Sequence, residues 1–151
     1  MIQRIQSVWL FLSAVFIAAA FFFPFAQITS QKKHFVLIYR GVFKQTNHEM
    51  LVQNSAYLLA GSLALVFILS LLTIFLFKNR KLQMKMCLYI SLLIILSSVG
   101  IIYFANFVLP NSETNYSFAS VFPLVAFIFI LMARNRIKKD EELVRSTDRI
   151  R

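Results

Sequence analysis

Few side chains in this 151-residue sequence could do chemistry, and they are scattered. His34, His48 and Glu49, in the stretch between the first two apolar runs, are the candidate group with acid–base character. General acid–base work needs titratable groups held close together, and a metal site needs at least three ligands at constrained spacing. A strand-like stretch separates His34 from the His48-Glu49 pair, so solvated loop residues are the simpler reading. Cys87 is the single cysteine, which excludes an intramolecular disulfide and any centre built on several thiolates. With Lys85 nearby it could be a reactive thiolate or a palmitoylation site. The plainer alternative is a small apolar packing residue. Proton relays and coupled transporters depend on ionisable residues within the membrane, and the apolar runs contain none. The first run offers only Gln6, Ser7 and Ser13 where small multidrug exporters carry a carboxylate. These residues imply no catalysis, no cofactor and no metal.

The elements that must carry these residues read as membrane helices. The hydrophobic set makes up 59% of the chain and charged residues 15%, against about 45–50% and about 25% in a soluble domain. Four runs lacking Asp, Glu, Lys, Arg and His approach or exceed the roughly 20 residues that a bilayer core requires. They cover about residues 5–25, 55–77, 86–108 and 116–133. The first could be a cleaved signal peptide, but its apolar stretch is longer than the usual h-region of about 7–15 residues. The expected fold is an all-α membrane protein, a four-transmembrane-helix bundle over residues 1–133. The net charge of +10 could suggest nucleic acid in a soluble protein, but here it sets topology, and no nucleic-acid partner is expected. Twelve Lys and Arg lie in the N-terminus, the 78–85 link and the tail, against four in the first loop. Both termini should therefore be cytoplasmic.

The connections differ. Residues 78–85 form a tight link that makes the second and third spans antiparallel neighbours. The loop from Pro110 to Asn115 is short and turn-forming. The extracytoplasmic loop 26–54 is large enough for structure of its own. There Ala26–Ser30 and His34–Arg40 could pair as a small β-hairpin, the latter rich in β-branched and aromatic residues and ended by Gly41. An irregular loop with its aromatics in the interface is the alternative. Pro24 and Pro123 are expected to kink or end their helices. Gly61, Ser97, Ser98 and Gly100 suit close helix–helix contacts. Residues 134–151 read as a charged cytoplasmic tail, helical and continuous with the fourth span. Its Lys138–Glu142 and Glu141–Arg145 pairs have the i,i+4 spacing that supports a helix.

The two ends of the chain resemble a known family. The opening Met1-Ile2-Gln3-Arg4-Ile5-Gln6 and the ending Lys138-Lys139-Asp140-Glu141-Glu142-Leu143-Val144-Arg145-Ser146-Thr147-Asp148-Arg149-Ile150-Arg151 are similar to those of a bacterial four-span family known as a domain of unknown function. The resemblance implies an inner-membrane location in Gram-negative bacteria. It implies no activity, cofactor or catalytic residue.

Function is therefore expected to lie in interactions. The candidate contact residues are Gln3, Arg4 and Gln6 at the N-terminus, with Asp140, Glu141, Glu142, Arg145, Asp148 and Arg149 in the tail. Anionic lipid headgroups at the cytoplasmic face are one expected partner. The other is a larger membrane-protein complex or a second copy, for which the chain would be an accessory or scaffold subunit. The sequence leaves open whether the tail docks on this chain or on a partner. The competing reading is an oligomeric pore or carrier for a neutral or lipid-like molecule. An enzyme working at headgroup level through His34, His48 and Glu49 is the most remote.

Overall fold

A computed structural model describes residues 3–30, 33–45, 50–109 and 112–148. Helix α1 spans Gln3–Ala19, α2 Tyr57–Phe75, α3 Arg80–Asn106 and α4 Phe122–Asp148. Between α1 and α2 lie β1 (Ala26–Ser30), β2 (Lys33–Ile38), β3 (Gly41–Gln45) and β4 (Met50–Ser55), and β5 (Ser112–Tyr116) lies between α3 and α4. The five strands form one antiparallel sheet in the order β4-β3-β2-β1-β5. This corrects the expected all-α four-helix bundle: the fold is mixed, four helices and a five-stranded sheet.

The hairpin forms with Ser30 opposite Lys33 and Ala26 opposite Leu37. Two observations account for the larger sheet. A tight turn at Tyr39-Arg40 brings β3 back with Ile38 opposite Gly41. Gly41 has φ +140°, and a Cβ there would lie 2.1 Å from the Asn54 carbonyl oxygen. Only glycine tolerates that backbone and that approach. The 110–115 segment, expected to be a plain turn, contributes β5, whose Thr114 stands opposite Ile28. Thr114 Oγ1 also donates to the Ala105 carbonyl, 2.8 Å, fastening β5 to the end of α3.

Alternation places one face of the sheet on the helices. Ala26, Ile28, Phe35, Leu37 and Val42 are buried and join the same core as Ala20, Ala56 and Ala119. Gln27 and His34 point outward. Burial from water stabilises that face by about 1.5–3 kcal/mol per large side chain. Between helices in lipid the driving force is packing and hydrogen bonding instead. Trp9 stacks on Phe129 at 5.6 Å and Phe16 meets Phe122 and Phe129, binding α1 to α4. Ser97 donates to Ser62 at 2.9 Å between α3 and α2.

Three helical segments are long and apolar enough to cross a membrane: Tyr57–Phe75, Arg80–Asn106 and Phe118–Val144. Only 28% of each apolar window is buried within the protein, so most of that apolar surface faces outward. Helix α1 is the shorter one, 17 residues, or about 26 Å at 1.5 Å per residue. It stops before Pro24, with Phe21 and Phe22 donating to Ala18 and Ala19 in tighter turns. Pro123 does not kink α4 in mid-span. It sits in the first turn, where the fixed φ of proline is pre-organised for the helix.

Candidate functional site

The sheet closes one end of the bundle; at the other, the helices are joined by polar side chains. Gln6 of α1 donates from Nε2 to Asp140 Oδ2 of α4. Arg80, at the start of α3, donates from Nη1 to the Asp140 carbonyl oxygen at 3.0 Å. Gln83, one turn later, donates to the Thr73 carbonyl of α2 at 3.1 Å. Gln6, Thr73, Gln83 and Asp140 are all buried. The α2–α3 link positions two of these donors: a 3-10 turn over Leu76–Lys78 ends α2, and Asn79 then caps α3 by accepting from the Leu82 N–H at 3.2 Å. A side-chain cap of this kind satisfies one of the orphan donors of the first turn.

The candidate contact residues thus divide. Gln6 and Asp140 come together inside the chain. Glu141 is half-buried, and Glu142 is exposed beside Lys138 at 3.9 Å. Gln3 and Arg4 lie in the first turn of α1, and Arg145 and Asp148 in the last turns of α4. Arg149, His48 and Glu49 lie outside the described residues. Sequence reasoning missed Arg80, Gln83 and Thr73. Gln83 stands among the lysines of the 78–85 link, where the signal that could have found it is its position three residues after Arg80, which puts both on neighbouring faces of one helix.

Beside this junction, α3 and α4 frame an open groove of 610 Å³. Lys81, Lys85, Arg134 and Lys138 supply its cations, and Glu141 and Glu142 its carboxylates. Met84, Leu88 and Tyr89 form the apolar part. Several polar atoms inside the bundle are left unmatched. Trp9 Nε1, Ser13 Oγ, Ser70 Oγ and Gln83 Oε1 are buried without a hydrogen-bond partner.

Of the residues first considered for chemistry, Cys87 and His34 are among those described. Cys87 is a free, fully buried thiol in the core. His34 is exposed on β2. Among the described residues, no group of three or more His, Cys, Asp or Glu could hold a metal ion.

A family model described as a domain of unknown function (DUF4293) matches residues 2–150. No curated protein matches the chain.

Proposed function

The chain belongs to that family over almost its whole length, and on that premise we propose that it is a small non-catalytic subunit of a larger membrane complex. In this reading all four helices cross a bacterial inner membrane, with both termini and the α2–α3 link in the cytoplasm. The charge distribution supports the orientation: Lys33, Arg40 and Lys44 lie at the sheet end, while Arg80, Lys81, Lys85, Arg134, Arg136, Lys138 and Lys139 lie at the other.

The observation that carries the subunit reading is the geometry of α4. It runs unbroken from Phe122 to Asp148 and is held at Asp140 by α1 and α3. Its charged end is therefore a fixed projection and not a free tail. Leu143 and Val144 stand 57% and 44% exposed on it, and apolar side chains grouped beyond the lipid suit a protein surface.

The test is affinity purification of the tagged chain from native membranes in mild detergent, with quantitative mass spectrometry. A deletion starting at Asp140 would also remove the partner of Gln6, so the informative variant is Leu143→Glu/Val144→Glu. A stoichiometric partner that this variant loses supports the subunit role. Recovery of the protein alone, even after cross-linking, sinks it.

The pore or carrier reading draws on the unpartnered Ser13, Ser70 and Gln83 atoms inside the bundle. Substrate-dependent flux into liposomes containing the pure protein would favour it.

A further inference from the structure

The groove between α3 and α4 crosses a polarity boundary. Along α3, Lys85 is the last cation before an apolar stretch that reaches Val108, and along α4, Arg134 is the first after one that ends at Ala133. Both line the groove, so the edge of a bilayer core falls across it. Beyond that edge stand Lys81 and Lys138; within it stand Leu88 and Tyr89. The apolar end is not closed off. Leu88 is 39% and Tyr89 55% exposed, and Leu92, one turn further along α3, is 56% exposed. One end of the groove is thus cationic, and the other opens onto the lipid-facing surface.

We infer that this groove is a binding site for one anionic phospholipid, its phosphate held between Lys85 and Arg134 and its acyl chains laid along Leu88, Tyr89 and Leu92. Four cations against two carboxylates leave the groove electropositive, and Glu141 and Glu142 stand on its outer side, about two turns beyond Arg134 along α4. Lys138 is drawn to Glu142 at 3.9 Å, which leaves Lys81, Lys85 and Arg134 as the cations for the headgroup. A soluble anion would use only the polar half of the groove. An amphiphile uses both halves, which is why the occupant is a phospholipid and not free phosphate. The inference rests on the membrane placement proposed above, and not on the subunit role.

The full-length protein is reconstituted in nanodiscs of equal phosphatidylglycerol and phosphatidylcholine, then released and weighed by native mass spectrometry. One phosphatidylglycerol retained per chain is the expected result. Equal retention of phosphatidylcholine overturns the site without any variant being needed. Affinity for phosphatidylglycerol in detergent is then compared between Lys85→Gln/Arg134→Gln and the control Arg136→Gln/Lys139→Gln, whose side chains lie off the groove. At about 1 kcal/mol per cation near an anionic lipid, the groove variant should bind roughly 25-fold more weakly and the control nearly as well as the wild type. Equal loss in both variants means general surface attraction and sinks the site. Inorganic phosphate competing as well as the lipid does the same. Flotation of the wild-type protein with vesicles checks the membrane placement separately, so failure of that reading and failure of the lipid site are distinguishable.

Discussion

Gln6 and Asp140, 134 positions apart in sequence, share a buried hydrogen bond from the amide Nε2 to the carboxylate Oδ2. The first turns of α1 and the charged half of α4 are thereby one unit. Arg80 adds α3 through the Asp140 carbonyl, so a single residue of the tail gathers three helices.

Loss of one partner should cost more than loss of both. Gln6→Leu leaves a buried carboxylate without its donor, a penalty of about 1–3 kcal/mol or more for a charged group. Asp140→Leu leaves the Gln6 amide unmet. The double variant Gln6→Leu/Asp140→Leu should recover much of that loss. Thermal unfolding of the four proteins in one detergent closes the cycle, and strictly additive losses would show that the two side chains are not coupled.

Gly41 and Gly61 should respond in opposite ways to alanine. At Gly41 the added Cβ meets the Asn54 carbonyl at 2.1 Å with φ +140°, so β3 and β4 must separate. A strained backbone alone costs about 1–3 kcal/mol, and amides of residues 33–45 should lose exchange protection. At Gly61 a Cβ meets nothing within 4 Å, and helix propensity favours alanine by up to about 1 kcal/mol. A stable Gly41→Ala sheet would refute the close approach.

Cys87 should be silent to thiol reagents in the folded protein. It is 0% exposed and sits among core residues such as Ile90 and Ala133. A maleimide should label it fully after denaturation in dodecyl sulfate and hardly at all before. Rapid labelling in mild detergent would place the thiol on the surface. Palmitoylation of this thiol in the native fold is excluded on the same ground.

The Lys138–Glu142 pair should matter little to stability. Its side chains are 69% and 62% exposed, and i,i+4 pairs of this kind contribute about 0.3–0.5 kcal/mol. Glu142→Gln should leave the unfolding temperature almost unchanged in low and in high salt. A large drop would mean that Glu142 has a contact beyond Lys138.

The Thr114 hydroxyl should report on how β5 is held. Thr114→Val keeps the shape of the side chain and removes the donor to the Ala105 carbonyl. A loss of about 1 kcal/mol is expected, with exchange protection falling first in residues 112–116. Unchanged protection there would show that pairing with β1 alone holds the strand.

The parts legible in the sequence are those with local causes. Apolar runs of sufficient length give three helices able to cross a membrane, because length and side-chain polarity decide that property residue by residue. The Ala26–Ser30 and Lys33–Ile38 hairpin is local too, since a two-residue connection and β-rich flanks specify it. The termini carried the family. The remainder depends on where distant segments return. Strand β5 looked like a turn because Ser112–Tyr116 has a polar composition, and its pairing with β1 requires α1, α3 and α4 to place both connections side by side. In the sequence Asp140, Glu141 and Glu142 are equivalent candidate contact residues. The register of Asp140 on α4 turns it inward beneath Ile137 and Ala133, while Glu142 faces solvent and pairs with Lys138. Composition cannot separate the three carboxylates; the facing Gln6 amide does, because a buried carboxylate persists only where a donor meets it.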